Sequence, residues 1–143
     1  MHMTVARLLE YKGDAVWTIA PQASVHDALR LMADKEVGAL VVVDGPRTVG
    51  LMSERDYARK VFLLKRASDQ TRVDEIMTDV KCTVGRDQTT TECMRLMTEH
   101  RVRHLPVIED GELVGLISIG DVVRAVIDEQ EFFIKQLQNY IHS

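Results

Sequence analysis

VGLMSERD (49–56) recurs as VGLISIGD (114–121), and the two stretches reduce to V-G-L-x-S-x-x-D. Working outward from that pair, residues 18–61 align with 83–126 at a constant offset of 65 and without a gap. Fourteen of the 44 positions are identical: Thr18, Arg30, Leu31, Met32, Val37, Leu40, Val42, Val49, Gly50, Leu51, Ser53, Asp56, Arg59 and Val61 each recur. A unit this short cannot build a large core of its own. Two copies therefore predict halves packed on each other about a pseudo-twofold axis, which creates a pair of related clefts.

The bulk composition fits that picture. The chain has 143 residues, 45% hydrophobic and 28% charged, the profile of an ordinary globular protein. Its formal net charge of −4 argues against a nonspecific nucleic-acid binder, which carries a basic excess. The longest purely apolar run, 39–43, is far too short to cross a membrane. The start MHMTVARLLEYKGD has no apolar core of a secretory leader, so a cytoplasmic location is expected, and Met1-His2-Met3 reads as a cloning remnant. Cys82 and Cys93 lie 11 residues apart, without metal-ligand or C-x-x-C spacing. They read as reduced, partly buried thiols.

Each copy predicts a β-α-β-β-α unit, so the fold class is α/β (α+β), with an added N-terminal helix and a long C-terminal helix. Residues 4–12 form a short amphipathic helix stopped by Gly13. In the first copy a strand at 16–19 leads to a helix capped by Ser24, then strands at 39–43 and 49–52, then a helix from Ser53. In the second, a strand at 82–84 precedes a helix capped by Thr89 or Thr90, strands at 105–108 and 113–117, and a helix from Ser118. The organisation expected is 1–65 for the first helix and repeat, 66–80 for a connection, and 81–143 for the second repeat and terminal helix. Thr71-x-x-Asp74 opens a short helix within the connection. Val123, Val126, Gln130, Phe133, Leu137 and Tyr140 follow a 3-4 spacing down a final helix about 35 Å long. Such a stripe is expected to pack partly on the core and partly on another protomer; the alternative folds it back over its own module.

S-x-x-D straight after a strand has a plain structural meaning. The serine caps the helix and the aspartate returns to the serine amide. Three features point beyond that. Gly50 and Gly115 clear space beside the strand where a ligand could approach. A helix start offers amides to phosphate, and a carboxylate there can accept from ribose hydroxyls. Arg55, Arg101, Arg103 and His104 also gather cations near it. His104 reads equally as a hydrogen-bonded histidine at the core edge, and Trp17 reads at least as readily as a core residue. His26 and His100 lack partners at ligand spacing, so no metal is expected, and Met32, Met52, Met94 and Met97 are assigned to the core.

The tandem G-L-x-S-x-x-D, the segment Ile76-Met77-Thr78 before the second copy, and RHLPV (103–107) together resemble a CBS-domain pair, or Bateman module. SERDYARKV (53–61) followed by EIMT is similar in particular to small stand-alone bacterial CBS-pair proteins. The resemblance covers about 16–127 and implies binding of AMP, ADP, ATP, NAD(H) or S-adenosylmethionine in the two clefts, as a regulatory ligand and not a catalytic cofactor. Carried over by position, Asp56 and Asp121 would hold the ribose, and Ser53 and Ser118 would lie near ribose or the first phosphate. Thr18 and Thr83, with the backbone around Ala39, Leu105 and Pro106, would line the adenine pocket, bordered by Met77 and Thr78. The second copy has Arg103-His104 where the first has Gly38-Ala39, and the first has Arg55 where the second has Gly120. Unequal phosphate preferences are expected. The resemblance also implies a homodimer and a separate, unknown regulated protein, with no nucleic acid and no membrane as partner. An interaction scaffold with degenerate sites, or a metal-dependent nucleotide hydrolase using Asp56 or Asp121, are the competing readings.

Overall fold

The structure, a computed structural model, describes residues 3–142; Met1 and His2 of the expected cloning remnant lie outside them. The chain forms two compact units. Val16–Val80 makes one, and the N-terminal segment through Ala15 joins the chain from Lys81 onward to make the other. Among the described residues each contains one small sheet, and with six α-helices they make a mixed α/β fold.

In the Val16–Val80 unit, β1 (Thr18–Ile19) pairs in parallel with β2 (Ala39–Asp44), which pairs antiparallel with β3 (Arg47–Ser53). Helix α2 (Val25–Lys35) starts where the Ser24 hydroxyl accepts from the Asp27 amide at 3.0 Å. It turns its Val25, Ala28 and Met32 face into a core with Leu40, Val42 and Met52. The first four residues of β2, from Ala39 to Val42, are all buried, as its unbroken apolar run implies. After β3, α3 (Glu54–Tyr57) passes into a π-helical turn, Ala58–Phe62. Val73–Ile76 forms α4, which buries Val73 and Ile76 in the same core. Its start lies one residue later than Thr71-x-x-Asp74 suggests. Glu75 accepts from the Arg72 amide at 2.7 Å, while the Thr71 hydroxyl turns back to the Ala67 carbonyl at 2.7 Å.

The second repeat follows the same plan with one loss. Helix α5 (Thr90–His100) is capped by Thr89, whose hydroxyl accepts from the Glu92 amide at 3.1 Å. Strands β4 (His104–Glu109) and β5 (Glu112–Ser118) pair antiparallel, with a register shift at Val107/Ile108 matching the one at Val42/Val43. The strand expected at 82–84 shrinks to a single parallel bridge, Val84 with Val107. Helix α1 (Val5–Lys12), capped by Thr4 and ended by Gly13 at φ 89°, buries Val5, Leu8 and Leu9 in the core of this unit. Packing thus places α1 with the second repeat, although it precedes the first in the chain. Helix α6 (Ile119–His142) buries only Val122 and Ala125, and from Gln130 to His142 every residue is exposed. The terminal stripe is therefore not folded back over its own module.

Candidate functional site

Both copies of S-x-x-D form the capping box that their spacing implies. Ser53 donates its amide to Asp56 Oδ2 at 3.0 Å, and its hydroxyl oxygen accepts from the Asp56 amide at 3.2 Å. Ser118 and Asp121 repeat this at 2.9 and 3.1 Å. The first helical amide of each is also received by the strand opposite. Glu54 donates to the Gly38 carbonyl at 3.0 Å, and Ile119 to the Arg103 carbonyl at 2.9 Å. Cross-strand register sets Ala39 opposite Ser53 and His104 opposite Ser118. The two positions that differ between copies, Gly38-Ala39 and Arg103-His104, therefore lie directly at the helix start.

The glycines serve a different purpose from the one expected. A Cβ on Gly50 would meet Met77 Sδ at 2.6 Å and the Thr78 carbonyl at 3.1 Å. A Cβ on Gly115 would meet Leu9 Cδ2 at 2.9 Å. The space each glycine leaves beside its strand is filled by the protein's own chain. In the first unit the filling segment is α4 and the two residues after it; in the second it is α1.

These two segments are equivalent in packing at an offset of 68. Val73 and Asp74 donate their amides to Ala23 and Pro21, as Val5 and Ala6 donate theirs to Gln88 and Arg86. Ser24 bridges Arg72 as Thr89 bridges Thr4. They diverge at their ends. Helix α4 stops at Ile76, and Thr78 pairs both ways with Leu51 at 2.8 and 2.9 Å while its hydroxyl donates to Asp56 Oδ1 at 2.9 Å. Helix α1 runs on to Lys12, whose ammonium donates to the Leu116 carbonyl and to Asp121 Oδ2, both at 2.6 Å. Lys60 completes the first site, 3.1 Å from Asp56 Oδ1 and 2.9 Å from the Ile76 carbonyl.

Asp56 is consequently buried, 8% exposed. Asp121 keeps more solvent access. Burial alone would raise its pKa, but the Lys12 hydrogen bond, the Ser118 amide and the Lys12 charge outweigh it and hold the carboxyl below its ordinary value. The sequence motifs single out neither Lys12 nor Lys60. Lys60, four residues after Asp56 on a helix, was legible from spacing; Lys12, 109 residues from Asp121, was not.

The remaining candidates scatter. Thr18 sits exposed on β1 opposite Val41, and Thr83 is exposed beside the Val84 bridge; neither side chain hydrogen-bonds to the motif. Ala39, Leu105 and Pro106 are buried strand residues. Arg55 and Arg103 are exposed, and neither forms an ion pair among the described residues; His104 is half-buried. Both cysteines are free thiols. Burial, then the neighbouring Glu92 and Cys82, push Cys93 up to about 11, far from a reactive thiolate. Among the described residues no group of three or more His, Cys, Asp or Glu is placed to hold a metal, and no helix is long and apolar enough to cross a membrane.

The model of the CBS domain family matches residues 12–62 and 73–128. The mitochondrial CBS domain-containing protein CBSX3 of Arabidopsis thaliana is 39% identical over 147 residues, spanning 96% of this chain and 71% of that protein. Among solved structures, a protein with CBS domains from Burkholderia ambifaria MC40-6 is 53% identical, with a TM-score of 0.83 over 90% of this chain and 96% of its own. A CBS-domain containing protein from Agrobacterium tumefaciens is 39% identical, with a TM-score of 0.80 over 86% of this chain and 98% of its own.

Proposed function

The chain belongs to the CBS-domain family, and we propose that it is a sensor module that binds an adenosine-containing ligand and changes shape or association in response, without chemistry of its own. Proteins of this family are generally regulatory, and CBS domains generally bind adenosine ligands. The observation that carries the proposal is the helix start built twice to one plan, with a carboxylate at Asp56 and Asp121 and a serine beside each. Asp56 and Asp121 are the residues proposed to take the ribose hydroxyls of AMP, ADP, ATP or NAD(H). His104, across the strand pair from Ser118, and Arg103, whose carbonyl accepts from the Ile119 amide, give the second repeat the stronger claim on phosphate.

Thermal unfolding against AMP, ATP, NAD, NADH, adenosine and S-adenosylmethionine tests this. A ligand at 100 times its dissociation constant adds about 2.7 kcal/mol, a shift on the order of 5–10 °C for a chain of this size. Arg103→Ala is expected to weaken AMP while barely changing adenosine. Equal loss for both refutes the phosphate role. If Asp56→Ala and Asp121→Ala lower stability without altering any ligand response, the aspartates serve only as caps.

A second element of the proposal rests on α6. Phe132, Phe133, Ile134, Leu137, Tyr140 and Ile141 are between 47% and 81% exposed, a stripe too apolar for a helix meant to stay in water. It is proposed to pack on another protomer, making the module a homodimer. Light scattering on Phe133→Glu/Leu137→Glu checks this: wild type should weigh as a dimer and the variant as a monomer.

A further inference from the structure

The acceptor pair at each helix start is already satisfied from within the protein, but by groups that differ in how easily they leave. In the first repeat, the Leu51 carbonyl and Asp56 are held by the amide and hydroxyl of Thr78. That amide is half of a two-way backbone bridge, so releasing it unpairs the segment from the strand. In the second repeat the Leu116 carbonyl and Asp121 share one ammonium, that of Lys12. It ends a four-carbon side chain on the last residue of α1, whose side chain is 30% exposed. Val5, Leu8 and Leu9 anchor the helix in the core, at 0%, 3% and 5% exposure. The ammonium can therefore swing away while α1 stays docked. A cavity of about 250 Å³ opens beside it, lined in part by Tyr11, Lys12, Asp121, Arg124 and Asp128. Arg124 forms no ion pair among the described residues.

We propose that Lys12 gates the second repeat and makes it discriminate phosphorylated from unphosphorylated adenosine ligands. The proposal rests on Asp121 being a ribose acceptor. A nucleoside that claims the carboxylate must displace the ammonium. If the nucleoside is neutral, Lys12 gives up its 2.6 Å pairing with Asp121, and only Asp128, elsewhere in the cavity lining and shared with Arg124, remains to it as an anion. A phosphate arriving with the nucleoside gives Lys12 a new anionic partner, with Arg124 close by as a second cation. The gate thus opposes adenosine and yields to AMP. In the first repeat Lys60 also reaches Asp56, at 3.1 Å, but the Thr78 hydroxyl and amide hold Asp56 and the Leu51 carbonyl as well, so displacing an ammonium alone does not free that pair.

The experiment is calorimetric titration of adenosine and of AMP into wild type, Lys12→Met and Asp121→Asn. The second-repeat step is identified as the one that Asp121→Asn removes. In Lys12→Met the AMP-to-adenosine affinity ratio of that step is expected to fall about tenfold, the size of one hydrogen bond to a charged group. Adenosine should bind more tightly than to wild type. A wild-type ratio retained in Lys12→Met overturns the gate and leaves the ribose role of Asp121 standing. If Asp121→Asn removes no step for either ligand, the ribose role itself fails and the gate with it. A helix merely propped by Lys12 would lose stability in Lys12→Met without any change in the ratio.

Discussion

The first repeat closes its helix start with Thr78, from the segment that follows it; the second closes with Lys12, from a segment that precedes both repeats. The same eight-residue motif, the same capping geometry and the same strand register thus end in different chemistry. Inside the repeats equivalent residues stand 65 apart; in the closing segments they stand 68 apart. The difference teaches that a repeat in sequence is not yet a repeat in structure. Each core needs a closing segment, and the chain supplies it once from behind and once from in front. The closing groups differ in kind: a bridge tied into the backbone, with Lys60 beside it, in the first unit, and a single lysine ammonium in the second.

The comparison can be broken most severely at the glycines. Gly50→Ala drives a methyl against the Thr78 carbonyl and Met77, and the carbonyl is backbone that cannot step aside. It should cost about 3 kcal/mol, whereas Gly115→Ala, which meets only the tip of Leu9, should cost about 1 kcal/mol. Urea denaturation of both variants measures the contrast; equal costs would show that the two closing segments are equally rigid. A smaller effect is expected at the first core position of the two repeat helices. Val25 and Thr90 are both 0% exposed, but the Thr90 hydroxyl has no hydrogen-bond partner among the described residues. Thr90→Val should therefore stabilise by about 1 kcal/mol, and Val25→Thr should destabilise by about 1–3 kcal/mol.

The acid limb of stability sharpens the comparison further. Asp121 is held below its ordinary pKa in the folded state, so it binds fewer protons folded than unfolded. Its contribution is full above the ordinary aspartate range and is lost as pH falls through the lowered folded value. Lys12→Met should remove about 1 kcal/mol at neutral pH and flatten that part of the acid limb. Denaturation midpoints between pH 2 and 6 for wild type and variant would reveal an unchanged slope if the pair were irrelevant.

Much of this was legible from the chain. The offset of 65, the apolar run at 39–43 and the S-x-x-D boxes report local geometry, and local geometry is what spacing encodes. The strand expected at 82–84 failed because one bridge to Val107 is all its partner offers, a tertiary fact with no local mark. At Gly50 and Gly115 sequence shows that a side chain is missing, not what fills the gap, so room for a ligand and room for Met77 or Leu9 look alike. Lys12 was invisible for the same reason. Nothing near it in the chain marks a partner 109 residues away, whereas Lys60 carried its i+4 spacing in plain view. The cross-strand placement of His104 opposite Ser118 needed the register of β4 on β5, which the motif does not state.

The most direct test of the central claim is calorimetric titration of AMP into wild type, Asp56→Asn and Asp121→Asn. Two helix starts built alike but closed differently should give two steps of unequal affinity, each aspartate variant removing one and leaving the other. Identical isotherms for all three proteins would contradict it and reduce both aspartates to helix caps.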